Sequence, residues 1–238
     1  MENKKSGFTL AEVLVTLGII GVISAMTVPS LMQNYQRKSY VTQLNKVYNL
    51  LSQALMSYQN DKNAIDLAEA GLTSAAEVKN FLNKYLKVSA TCYTAFTPCF
   101  ASTYKNMNGT TLNNGSYWAG TANAPCVSLV SGAAICMEQA KYHSTKWGDV
   151  TSPYGHITID INGQQGPNIA GRDLFFVTYY LDGSIDEDGV PPACKTQGQC
   201  GSSKTNPQDA RAALGCAARS DAKGCFGLIL NADWEMDY

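Results

Sequence analysis

Lys4-Lys5-Ser6-Gly7-Phe8-Thr9-Leu10-Ala11-Glu12 opens directly onto an apolar run that reaches Pro29, and Glu12 is the only charged residue inside that run. As a helix rising about 1.5 Å per residue, Phe8 to Pro29 covers about 33 Å, enough to cross a bilayer core. An isolated ionised carboxylate in hydrocarbon costs roughly 2.5 kcal/mol or more, so Glu12 requires a partner. Cleavage after Gly7 would create one. Phe8 would then carry an ammonium group four positions before Glu12, about one helical turn away. Between staggered copies of the helix, the amine of one copy could neutralise the acid of the next. A buried charge pair of that kind is best attested as a device that fixes register.

Gly7, Phe8, Thr9, Leu10 and Glu12 resemble the type III signal of type IV pilins and type II secretion pseudopilins. The resemblance implies a prepilin peptidase that cuts after Gly7 and methylates Phe8. Pro29 becomes the 22nd mature residue, where many pilins carry a helix-weakening proline. Two plainer readings compete. A secretory signal would use Lys4 and Lys5 as its basic region and be cut near Ala25, but Glu12 and the mediocre site Ile23-Ser24-Ala25 argue against it. A simple single-pass anchor fits the length, and the resemblance decides against it. The partners implied are other pilin or pseudopilin subunits in a helical filament, the peptidase, and the inner-membrane assembly machinery. The chain would sit in the cytoplasmic membrane before assembly with its head outside the cytoplasm, and later in a periplasmic or surface filament. That orientation comes from the resemblance, because Arg37 and Lys38 beyond the span offset the basic leader.

The expected organisation is a leader (1–7), a transmembrane and filament-core helix (8–29), an amphipathic stem (30–60) and a globular head (61–238). Loss of the leader leaves 231 residues of the 238 and a net charge of −2. No basic stripe is present, which argues against nucleic acid as a partner. All eight cysteines, Cys92, Cys99, Cys126, Cys136, Cys194, Cys200, Cys216 and Cys225, lie in the head. An even count beyond a span points to disulfides in an oxidising compartment, and the spacing is not that of zinc ligands. Pairing in chain order is the expectation, since each pair closes a short loop; free buried thiols are the alternative.

Leu44, Val47, Tyr48, Leu51, Leu55 and Tyr58 recur in steps of three and four, an apolar stripe that carries the first helix past Pro29 to the polar cluster Asn60-Asp61-Lys62-Asn63. Ser74 and Glu77 form a capping box for a second helix to Leu86. From Cys92 to Ala124 the chain reads as a surface loop region, with turns at Asn108-Gly109 and Asn114-Gly115. Strands are expected at Ile157–Ile161, half-buried, at Leu174–Leu181 and at Phe226–Leu230. A short helix starts at Asn206-Pro207 and runs to about Arg219. The fold class is α+β, a long N-terminal helix packed on a small antiparallel sheet. The D-x-N-G…G-P-N…G-x-D pattern from Asp160 to Asp173 is similar to a strand-loop-strand segment of many pilin-like proteins. Asp233-Trp234-Glu235-Met236 resembles their closing G-W-x-M, with aspartate in place of glycine.

Asp160, Asn162, Asn168 and Asp173 offer oxygens that suit calcium, as do Asp182, Ser184, Asp186 and Asp188. The second set begins like an EF-hand loop but has Ala193 where the twelfth-position glutamate belongs. Calcium-binding loops in major pseudopilins support the cation; polar turn geometry is the simpler explanation and is preferred. His143 and His156 read as too isolated for a relay, and no catalytic motif is present, so no enzyme and no other cofactor is expected. Trp118 and Trp147, in expected loops, are the aromatic residues that could serve an adhesive face. Core filling is the preferred use for the tyrosines and tryptophans. The function implied is a structural subunit of a type IV pilus or secretion pseudopilus; the alternative is a minor pilin whose head binds a surface, DNA or a secreted substrate.

Overall fold

The computed structural model describes Gly7 and residues 9–112, 124–147, 150–190, 206–216 and 223–238, with backbone alone at 145–147 and 150–152. Phe8, Asn114-Gly115, Trp118, Ala193, Cys194, Cys200 and Arg219 lie outside these residues. Contacts divide the chain into two units, residues 1–39 and 40–238.

In the first unit, helix α1 (Leu10–Asp61) begins, and Pro29 lies inside it without ending it. Leu14, Leu17, Ile20, Ile23, Met26 and Leu31 are all exposed. This stretch is long and apolar enough to cross a membrane. Two of its threonine hydroxyls find acceptors within the helix. Thr16 Oγ1 donates to the carbonyls of Glu12 and Val13 at 2.9 Å each, and Thr27 Oγ1 donates to that of Ile23 at 3.0 Å. Such back-bonding satisfies these two hydroxyl donors without water.

In the second unit the remainder of α1 buries Val41, Leu44, Val47, Leu51, Leu55 and Tyr58, the stripe expected from the sequence. Helix α2 (Ala75–Tyr85) starts at Ser74, whose Oγ accepts from the Glu77 amide at 3.2 Å. Val78, Phe81 and Leu82 face inward, and the Phe81 ring packs edge-on against Tyr58 at 5.5 Å.

Among the described residues, seven antiparallel strands form one sheet: β1 (Val88–Cys92), β2 (Cys126–Leu129), β3 (Ala134–Met137), β4 (His143–Trp147), β5 (Val150–Asp160), β6 (Leu174–Tyr180) and β7 (Ile185–Glu187). Their order is β1-β2-β3-β5-β6-β7, and β4 pairs with β5 as well. β3 covers Ile157–Asp160 of β5 and β4 covers Val150–Tyr154. Gly155 and His156 fall in the gap between them. Gly155 is required there, because a Cβ would come within 2.8 Å of the Gln139 carbonyl oxygen and would also strike the Tyr179 ring.

Both faces of the sheet are covered. On one, Ile135, Met137, Ile157, Ile159, Phe175, Val177 and Tyr179 meet α1 and α2. On the other, Ala134, Cys136, Leu174 and Phe176 meet Phe100, Tyr104, Leu112, Ala170 and three disulfides. This second layer corrects two expectations. β5 is not half-buried, since Thr158 and Asp160 are as buried as the isoleucines between them. The region after Cys92 is not merely surface loop, since Phe100, Tyr104 and Leu112 leave water to cover the polar side of β5. The Asn108-Gly109 turn does form, with Gly109 N donating to the Asn106 carbonyl at 2.9 Å.

The C-terminal run is the clearest departure. Phe226–Leu230 is not a strand but part of helix α4 (Cys225–Asn231). A five-residue apolar run does not distinguish strand from buried helix. Helical spacing sends Phe226 and Ile229 to the first core and Cys225 with Leu228 to the second, which a strand could not do. Helix α3 (Pro207–Leu214) is capped as expected, the Asn206 Oδ1 accepting from the Asp209 amide at 2.8 Å, and it ends at Gly215 rather than near Arg219. After α4, Asp233 holds φ at 51° and Trp234 packs on Tyr48 at 5.1 Å. The left-handed backbone at position 233 is one that glycine adopts without strain, in keeping with the glycine of the closing pattern the segment resembles.

Disulfides Cys92–Cys99, Cys126–Cys136 and Cys216–Cys225 follow chain order. The expected fourth pair falls outside the described residues. Gly171 fits against one of them: its φ is 88°, and a Cβ would lie 2.6 Å from the Cys225 sulfur.

Candidate functional site

The start of α1 is built as a capping box. Thr9 N and Thr9 Oγ1 both donate to Glu12 Oε2 at 2.8 Å, while the Glu12 amide donates back to Thr9 Oγ1 at 3.3 Å. Two orphan amides of the first turn are thus satisfied. The carboxylate also lies at the positive end of the helix. In the isolated chain, therefore, Glu12 has a local partner that the sequence reading overlooked. The signal was available, since Thr9-Leu10-Ala11-Glu12 fits the capping-box pattern ahead of an apolar run. Gly7 is exposed, and with Thr9 it flanks the scissile position expected before Phe8.

The Asp160–Asp173 segment joins β5 to β6. Asp160 accepts from the Asn162 amide at 3.0 Å and from the Tyr104 hydroxyl. Asp173 accepts from the amides of Asn168 and Ile169, each at 2.6 Å. Burial pushes Asp160 up to about 7, against the hydrogen bonds that favour its charged form, and raises Asp173 as well. These carboxylates therefore already hold the loop together. The side-chain oxygens of Asn162 and Asn168 are buried without a hydrogen-bond partner. Two such oxygens fit a hard cation but fall short of the six to eight that calcium takes, so the Asp160 and Asp173 oxygens would have to be shared. In the second acidic set the members are divided among different partners. Asp182 Oδ1 accepts from Ser184 N at 3.0 Å, Asp186 takes a two-pronged contact from Arg211 at 2.8 and 2.7 Å, and Asp188 lies 2.6 Å from Lys223 Nζ.

His143 and His156, expected to be isolated, are brought together. Their ring centroids lie 4.5 Å apart, and Glu138 Oε2 is 3.1 Å from His143 Nε2 and 2.8 Å from His156 Nδ1. On its other side His156 Nε2 lies 3.3 Å from Asp188 Oδ1. Burial alone would push His156 down, but the two carboxylates outweigh it and hold the imidazole above its ordinary value. Nothing in the spacing of these residues announces the cluster. It depends on β3 and β4 lying end to end on β5.

The aromatic residues mostly serve packing. Tyr58, Tyr104, Tyr179 and Tyr180 are buried, and Trp147 closes strand β4 rather than lying in a loop.

Residues 3–28 match the family described as the prokaryotic N-terminal methylation motif. The chain is similar to the type II secretion system core protein G of Aeromonas hydrophila, 34% identical over 71 residues, which are 30% of this chain and 49% of that protein. The Dickeya chrysanthemi core protein G is 35% identical over 72 residues, 30% of this chain and 46% of its own length. Fimbrial protein EcpC of Eikenella corrodens is 29% identical over 145 residues, 55% of this chain and 92% of that protein. The chain thus spans about half the length of the core protein G relatives it matches. No solved structure matches.

Proposed function

We propose that this chain, which carries the prokaryotic N-terminal methylation motif, is a structural subunit of a type IV pilus or a type II secretion pseudopilus. The observation that carries the reading is the exposed apolar first part of α1, opened by the Gly7–Glu12 signal. Prepilin peptidase cuts after Gly7 and methylates Phe8, and the span from Phe8 to Pro29 anchors the chain until the assembly machinery draws it into a filament. There the apolar helices pack together through van der Waals contact. Glu12 exchanges its Thr9 partner for the Phe8 amine of a neighbouring subunit and sets the axial register. Pro29, which leaves one carbonyl of α1 without its amide, lets the helix yield during that packing. The head stays outside the cytoplasm and is not an enzyme. Calcium belongs to the proposal as a secondary element, drawing on Asn162 Oδ1, Asn168 Oδ1 and shared oxygens of Asp160 and Asp173; calorimetric titration of the full chain tests it.

Mass spectrometry of the native protein from its own envelope tests the main reading. A chain beginning at Phe8 and heavier by one methyl group is expected. One beginning at Met1, or near Met26, would end the filament reading.

A further inference from the structure

Glu138, His143 and His156 bring two imidazoles and a carboxylate to one point, and their ligand atoms lie within 4.8 Å of one another. We propose that they form a binding site for a zinc-class divalent cation, with Asp188 as the outer partner that aims His156. Two imidazole nitrogens and one carboxylate oxygen are a donor set that suits zinc, with a fourth position left for water. A tetrahedral zinc with bonds of about 2.0–2.1 Å holds its donors about 3.3 Å apart. The glutamate oxygen stands 3.1 and 2.8 Å from the two nitrogens and the ligand atoms lie within 4.8 Å of one another, so the oxygen moves outward and the ring nitrogens settle toward that spacing as the ion enters.

Three further features fit a built site. Asp188 faces the second nitrogen of His156, the carboxylate–histidine arrangement that fixes the tautomer with its lone pair toward a metal. Asp188 is itself held by Thr178 Oγ1 at 3.2 Å and by Lys223. The backbone of Glu138 is pinned twice: its carbonyl accepts from the Tyr179 hydroxyl at 2.6 Å, and its amide donates to the His156 carbonyl at 2.9 Å. His143 is 33% exposed while the other two ligands are buried, which gives an entry side. Any proton held between a ring nitrogen and Glu138 gives way to the ion and leaves to solvent. Nitrogen donors set this site apart from the oxygen-only loop at Asp160–Asp173, which is suited to calcium.

The test uses the full chain in detergent with its disulfides intact. It is loaded with zinc, then dialysed against zinc-free buffer containing excess calcium. Retention of about one zinc per chain, with an X-ray absorption spectrum at the zinc edge fitted by two imidazoles and oxygen, is expected. No retained zinc, or a spectrum showing sulfur neighbours, would overturn the site. His143→Ala, at the exposed side, should lose the ion while keeping its circular dichroism; undiminished zinc in this variant also overturns it. Should His143→Ala misfold, the wild-type spectrum still decides through its imidazole count. Asp188→Asn should weaken zinc binding by roughly 10–100-fold. An unchanged affinity would remove Asp188 from the site.

Discussion

The two faces of the sheet are closed by different means. The first is closed by regular helices: Leu44, Leu51 and Leu55 of α1 and Phe81 of α2 are fully buried against β3, β5 and β6. The second is closed by loops, a short helix and cysteines, with Phe100 and Tyr104 lying among three disulfides. A helix presents a continuous apolar stripe and needs no cross-links. A loop must order its backbone residue by residue, at about 1–2 kcal/mol each, and has fewer apolar groups with which to offset that. Covalent closure compensates by restricting the unfolded chain.

Phe81→Ala tests that contrast most strongly. Truncating a fully buried aromatic should cost about 3–5 kcal/mol, read as a fall in thermal midpoint of the full chain. Removing the Cys126–Cys136 bridge by paired alanines should cost about 2–3 kcal/mol, the loop-closure value for a span of this length. If bridge removal proved the more harmful change, the first core would not be the principal one. Glu187 sharpens the picture where α4 joins the two faces. Its Oε2 accepts from the Gly227 amide at 2.8 Å, and burial pushes it up to about 8. The folded state therefore prefers the protonated acid. Its contribution is complete below the ordinary carboxylate range and is lost as pH rises through about 8. Wild-type stability should fall across that window by up to about 1.4 kcal/mol per pH unit, and Glu187→Gln should flatten the slope. The smallest effect is expected at Asp233, where glycine relieves the left-handed backbone. Asp233→Gly should raise stability by about 0.5 kcal/mol in the same melting experiment.

The same contrast separates what was legible in the sequence from what was not. Leu44 to Tyr58 and Val78 to Leu82 announce their burial through helical spacing, and Ser74 and Asn206 announce their helix starts. Leu174–Tyr180 is recognisable by its branched and aromatic run. The second face left no comparable trace. Phe100, Tyr104 and Leu112 stand in a stretch rich in polar turn residues, with no period of two or 3.6, and β1 to β3 are too short to show one. Gly227 in the Phe226–Leu230 run fits either conformation; what decides for helix is the shape between the two cores. Among site residues, the Gly7–Glu12 signal is local and so was readable. The meeting of Glu138, His143 and His156 was not, because it depends on which part of β5 each neighbouring strand covers.

The three bridges seen here link cysteines 7, 10 and 9 positions apart. Loops of about ten residues close in roughly 10–100 ns, long before a sheet of this topology can assemble. Each partner is thus the nearest thiol in time as well as along the chain. Making the bond is slower than making the encounter, taking seconds or longer with the oxidant supplied, but each thiol meets its own partner far more often than any distant one. For these three bridges the covalent frame of the second face is therefore the pairing that chance encounter itself favours, with no search among distant thiols.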